Sequence, residues 1–125
     1  IHELQKAVNP IILQKLMEYP IQGQSTELND NRISLYVAQR GKCAICKEPL
    51  LLGEMEVHHI TPKTSGGKDN YSNLTLVTGD VHKLVHATDP VIICKYLEKL
   101  KHCKLNMAKL NKFRLLAGNC KLEYR

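Results

Sequence analysis

The sequence predicts an α+β fold: a small ββα finger flanked by N-terminal and C-terminal helices. Three observations predict it. Residues 54–59 alternate side-chain character with the period of a strand, and residues 61–73 are dense in Gly, Ser, Asn, Asp and Pro. A short apolar run, 74–78, is followed at once by a helical segment that carries His82 and His86 four positions apart.

Each element has its own local reason. Asn9-Pro10 reads as a cap with proline at the first helical position, and Ile11, Ile12, Lys15, Leu16 and Tyr19 continue a one-sided stripe up to Pro20. Residues 21–30 are polar and read as a linker. Asp30 or Asn31 then caps a helix over 32–40 that turns Ile33, Tyr36 and Val37 to the finger and ends at Gly41. In the finger, Met55, Val57 and His59 alternate with Glu54, Glu56 and His58. The loop 61–73 closes through Gly66-Gly67, and Gly79-Asp80 caps the helix that bears His82 and His86. Asp89-Pro90 repeats the cap-and-proline signal, with Val91, Ile92, Tyr96, Leu97 and Leu100 as the apolar face. A last helix over 106–117 carries Leu110, Phe113 and Leu116 and stops at Gly118. The chain therefore divides into an N-terminal helix and linker (1–29), a core (30–89) and a basic helical tail (90–125).

With 125 residues, no Trp and one Phe, the chain can build one modest core that a metal ion would help to hold. No apolar run reaches membrane-spanning length and no signal peptide is visible, so no membrane partner is expected. An odd number of cysteines, five, fits a reducing cytoplasm better than a disulfide framework. A start at Ile1 suggests a piece cut from a longer protein. The net charge of +6 is uneven, because residues 95–125 alone hold +7. A basic tail suits non-specific contact with phosphates. Lys95 and Lys99 in the tail, with Lys63, Lys83 and Arg40 beside the finger, are the candidate DNA contacts.

His58, His59, Asn73, His82 and His86 fall within one ββα unit, which is a site signature. The layout suits one divalent cation used in phosphodiester hydrolysis. His58 and His82 would bind it through neutral imidazole nitrogens. His86 is either a third ligand or a plain helix-face histidine. His59 is left for general-base work, with Asn73 hydrogen-bonded to the far nitrogen of its ring. Strict alternation sends His58 and His59 to opposite faces, so a twist or bulge is needed for both to reach one phosphate. Cys43-Ala44-Ile45-Cys46 is a zinc half-site whose other half is missing, since Cys94 and Cys103 sit nine apart in helical sequence, Cys120 stands alone and no second C-x-x-C completes the set; two small buried thiols are the alternative.

The series Glu56-Val57-His58-His59-Ile60-x-Pro62, Gly66-Gly67, Asn73-Leu74 and His82-x-x-x-His86 resembles the HNH nucleases, whose fold is the ββα-metal finger. The resemblance implies His59 as general base, Asn73 as its orienting partner, and His58 and His82 as metal ligands, joined by His86 in the colicin-type branch. It also gives Glu56 the place of an acidic residue that buttresses the site. A His-His pair stands where Asp-His is commoner, so the ligand shell lacks carboxylate charge. Mg²⁺ or Mn²⁺ is the expected ion, with Zn²⁺ or Ni²⁺ as alternatives.

The flanking runs at 31–43, 80–87 and 109–118 look like the C-terminal endonuclease domain of bacterial group II intron-encoded proteins. That resemblance implies a domain attached to a reverse transcriptase and maturase, acting with intron RNA in the bacterial cytoplasm at the nucleoid. There it would nick the second DNA strand to prime reverse transcription. A stand-alone homing or restriction-type nuclease would use the same site. A non-catalytic metal-stabilised DNA-binding module and a zinc-finger interaction domain are the other readings.

Overall fold

The structure, a computed structural model, describes residues 8–122, so His2, Glu123 and Arg125 lie outside it. In chain order the elements are α1 (Pro10–Glu18), α2 (Thr26–Ala38), β1 (Met55–His59), β2 (Leu74–Thr78), α3 (Gly79–His86), α4 (Pro90–Lys99) and α5 (Met107–Leu116), with single 3₁₀ turns at Lys63–Ser65 and Tyr71–Asn73. The arrangement is α+β, a two-stranded antiparallel sheet among helices, as a small ββα finger requires. Among the described residues, no helix is long and apolar enough to cross a membrane.

β1 and β2 pair without interruption from Met55 opposite Thr78 to His59 opposite Leu74. Backbone bonds from Gly79 to Glu54 and from Ile60 to Asn73 continue the ladder at either end. No bulge intervenes between His58 and His59. His58 therefore turns into the core while His59 stays half-buried on the other face, as the pleat dictates. The core gathers Leu74, Leu76 and Val77 of β2, Val81, Leu84 and Val85 of α3, and Leu28, Leu35 and Tyr36 of α2. Leu110 and Phe113 of α5 close it from the C-terminal side.

Several expected boundaries and faces move. α2 starts at Thr26, six residues before the expected Arg32, because the Ser25 hydroxyl accepts the Leu28 N–H and so caps a helix within the supposed linker. The earlier start brings Leu28, Arg32, Leu35 and Tyr36 to the core and leaves Val37 exposed. β1 begins at Met55 instead of Glu54, and the cap of α3 is Thr78, whose hydroxyl accepts the Val81 N–H. Val91 and Ile92 of α4 face solvent, whereas Ile93, Tyr96, Leu97 and Leu100 pack inward. In α5, Leu116 is exposed and Arg114 is buried in its stead.

Arg114 changes the meaning of the C-terminal segment. Only 2% exposed, it donates from Nη1 to the carbonyls of Leu84 at 2.6 Å and Ala87 at 2.8 Å, and from Nε to that of Cys120 at 2.8 Å. Asn119 takes the Val85 carbonyl at 2.8 Å. The last turn of α3, whose carbonyls have no helical partners, is thus capped by α5 and its exit. Of the basic residues counted in the tail, Arg114 is therefore withdrawn from any phosphate. Replacing it with Met should cost about 2–3 kcal/mol of stability by orphaning these carbonyls. Urea denaturation checks this.

Candidate metal centre

His58, at the inner face of β1, is 1% exposed and lies against the two histidines of α3. Its ring centroid is 5.3 Å from that of His82, 5.4 Å from His86 and 5.2 Å from Phe113, and His82 lies 4.8 Å from His86. One nitrogen from each of the three histidines falls within 4.8 Å of the others. The helix supplies two of them because residues four apart share a face, and the β1–β2 ladder delivers the third. Glu56, two residues before His58, accepts from His82 Nδ1 at 2.6 Å. That bond fixes one tautomer of His82 and leaves Nε2 with its lone pair. Gly79 makes room for this carboxylate, since a Cβ there would stand 3.1 Å from Glu56 Oε2.

The electrostatics suit a cation. His58 Nε2 is buried and has no hydrogen-bond partner, a state that costs free energy unless something occupies it. Burial, followed by the neighbouring His82, His86 and His59, pushes the His58 ring down to about 3. Burial also lowers His86. Neutral imidazoles with free lone pairs are what a divalent ion needs. The donor set and the orphaned nitrogen therefore fit one metal ion.

His59 is placed differently from the sequence expectation. Its Nε2 lies 2.8 Å from Asp69 Oδ1. Asp69 also accepts from the Ser25 hydroxyl at 2.6 Å and stands 3.5 Å from Lys63 Nζ. The Ser25 hydrogen bond, then that of His59, with Lys63 assisting against desolvation, holds the carboxyl down at about 2. An ionised Asp69 accepting from Nε2–H leaves Nδ1 of His59 as the basic nitrogen.

Among the described residues, the Asn73 side chain makes its hydrogen bonds to backbone and not to the His59 ring, in contrast to the expected bond. Its Oδ1 accepts the Thr61 N–H at 2.8 Å, and its Nδ2 donates to the carbonyls of Thr61 at 3.1 Å and Lys68 at 2.9 Å. It pins both limbs of the 61–73 loop, and the loop in turn presents Asp69. Gly67 completes this clamp, because a Cβ there would meet the Thr61 carbonyl oxygen at 1.8 Å and Asn73 Nδ2 at 2.9 Å. Asp69 was the residue missed by sequence reasoning; its signal was a lone carboxylate in the turn-rich loop, six residues from the Lys63 it pairs with.

Of the candidate DNA contacts, Lys63 is the one beside His59 and Asp69. Lys83 is exposed on α3, Arg40 is exposed at a positive φ of 57° just after α2, and Lys95 and Lys99 of α4 lie over the Tyr96 ring. Cys43 and Cys46 are buried side by side outside the histidine cluster.

Residues 43–87 match the family model described as HNH endonuclease, a span that takes in every histidine of the cluster and His59. No curated protein and no solved structure matches the chain.

Two outcomes follow from the geometry. The folded chain keeps His58 neutral where the unfolded chain would protonate it, so this contribution to stability is complete above the ordinary value of 6.5 and is lost as pH falls from there towards about 3. In metal-free protein the unfolding midpoint should fall across that window, and His58→Leu should flatten the fall. Gly67→Ala should collapse the loop clamp and destabilise the chain well beyond Gly66→Ala, whose cost is the strained φ of 91° alone, about 1 kcal/mol. Comparative urea denaturation separates them.

Proposed function

We propose, from the premise that residues 43–87 form an HNH endonuclease domain, that the chain is a metal-dependent DNA nuclease that nicks one strand by hydrolysis. The observation that carries the reading is the convergence of His58, His82 and His86 beside an independently braced His59. The two sets divide the labour: three ring nitrogens can hold a cation, and a fourth imidazole can take a proton. A charge on His59 disfavours one on His58, so the two rings are electrostatic neighbours although they leave β1 on opposite faces.

His59 acts as general base. Asp69 holds its Nε2–H, so Nδ1 takes the proton from the attacking water and Asp69 stabilises the imidazolium that results. Water attacks phosphorus in line, and the bond to the 3′ oxygen breaks, leaving a 5′ phosphate. A divalent ion held by His58, His82 and His86 would supply positive charge at the departing oxygen. Asn73 is a positioning residue that acts through the backbone of Thr61 and Lys68, and Glu56 positions His82. Lys63, whose Nζ stands 3.5 Å from Asp69 Oδ1, would meet the phosphate beside His59, and Lys83, Lys95, Lys99 and Arg40 would supply outer contacts to the backbone of DNA.

The finer setting is second-strand cleavage in group II intron mobility, with intron RNA and the remaining reverse transcriptase and maturase as partners. Its support is the resemblance of the flanking runs. α5 overlaps one of these, residues 109–118, and its Phe113 packs against His58. An assay of nicking by the chain alone and within the parent ribonucleoprotein separates this from a stand-alone nuclease, which would cut duplex DNA unaided.

His59→Ala should lower the nicking rate about 10²–10⁴-fold while metal affinity stays near wild type. His82→Ala should instead weaken metal binding, with partial rescue by excess Mn²⁺ or Mg²⁺. Asp69→Asn should slow nicking with metal affinity unchanged. Full activity in His59→Ala would remove it as the base, and chelator-resistant cleavage would remove the metal.

A further inference from the structure

The first turn of α2 reaches the 61–73 loop from outside the span 43–87 that matches the family. Ser25 caps the helix, its Oγ accepting the Leu28 N–H at 3.0 Å, and the same hydroxyl donates to Asp69 Oδ2 at 2.6 Å. A hydroxyl carries one hydrogen, so the cap takes a lone pair and leaves that hydrogen for the carboxylate. Further along α2, Asn31 donates from Nδ2 to the Asp69 carbonyl at 2.9 Å. Asp69 is therefore held from α2 at its side chain and at its backbone, by residues 44 and 38 positions away.

The bond at Oδ2 decides what Oδ1 can do. Oδ1 is the atom that His59 Nε2 meets at 2.8 Å, and Lys63 Nζ stands 3.5 Å from the same atom. The last torsion of an aspartate is broad, so a carboxylate tied at one oxygen alone can turn, and the exposed Lys63 offers it a rival partner. A second bond at Oδ2 removes that freedom. An O–H bond to a carboxylate at this length is charge-assisted, hence among the stronger kinds. It is also the first of the causes that hold the Asp69 carboxyl low.

We propose that Ser25 is a positioning residue for His59: its hydroxyl locks the Asp69 carboxylate in the rotation that presents Oδ1 to His59 Nε2, which keeps the ring proton on that nitrogen and Nδ1 open to water. The consequence for nicking rests on the nuclease reading; the effect on the His59 ring does not. A helix cap by itself needs only an acceptor at position 25, and Asp, Asn or Gly serves there nearly as well as Ser. The hydrogen given to Asp69 is the part of Ser25 that capping leaves unused.

The test separates the cap from the donor. Ser25→Gly keeps a competent cap and removes the hydrogen, whereas Ser25→Thr keeps both. In nicking by the full chain at saturating Mn²⁺, Ser25→Gly should lower kcat about 10-fold, the loss typical of a removed outer-shell partner. KM for DNA, metal affinity and the unfolding midpoint should stay close to wild type, and Ser25→Thr should recover the rate. In an Asp69→Asn background Ser25→Gly should cost nothing further, because its effect runs through that carboxylate. Nitrogen-15 NMR of the His59 ring, at one fixed alkaline pH and without metal or DNA, reads the tautomer directly. Wild type and Ser25→Thr should hold the proton on Nε2 alone, and Ser25→Gly should show both tautomers. A wild-type chain that does not nick would sink the nuclease reading, and the NMR comparison would still decide this proposal. Wild-type kcat in folded Ser25→Gly, an equal loss in Ser25→Thr, an undiminished effect in Asp69→Asn, or an unchanged His59 ring in Ser25→Gly would each overturn it.

Discussion

One buried nitrogen governs this molecule. His58 Nε2 lies inside the core without a hydrogen-bond partner, in surroundings that keep the ring uncharged. An apolar side chain would fill the place between α3 and Phe113 with less penalty, since an unpaired buried polar atom costs on the order of 1–3 kcal/mol. The arrangement makes sense when His82 and His86 are included, because three ring nitrogens within 4.8 Å of one another suit a shared cation. The pleat of β1, the four-residue spacing on α3 and the Glu56 brace on His82 all serve that convergence.

The rest of the fold can be understood as support for two rings on opposite faces of one strand. The inner ring, His58, is backed by Phe113, and α5 reaches that position by capping α3 through Arg114 and by a connection hydrogen-bonded to Ile45. The outer ring, His59, is braced by Asp69, which is itself fixed from α2 by Ser25 and by the Asn31 amide on its carbonyl at 2.9 Å. The helices before and after the finger therefore each steady one of the two chemical functions. The pleat of β1 keeps His59 and the histidine cluster on opposite faces, and their separate supports let one be altered without dismantling the other.

Much of this was legible because it depends on short-range periodicity. The alternation of residues 55–59, the turn-rich loop and the His82–His86 spacing place the finger's elements to within a residue or two and single out histidines that converge in space. What escaped depends on tertiary contact. Asn73 was recognised as a site residue, but its partners are the backbone of Thr61 and Lys68, and the bond to His59 comes from Asp69, a residue that looked like ordinary loop polarity. The start of α2 was hidden because Ser25-Thr26-Glu27 is as compatible with a polar linker as with a cap, and the burial of Leu28 decides between them. Arg114 counts towards the charge of the basic tail, but charge density along the sequence carries no information about which side of a helix is covered.

The account stands most directly on where a metal ion goes. Crystals of the chain soaked in Mn²⁺ and measured at an anomalous wavelength should show a manganese peak bonded to nitrogens of His58, His82 and His86, with His59 turned to Asp69 and not ligating. A peak held elsewhere, or none beside a well-ordered His58, would contradict it.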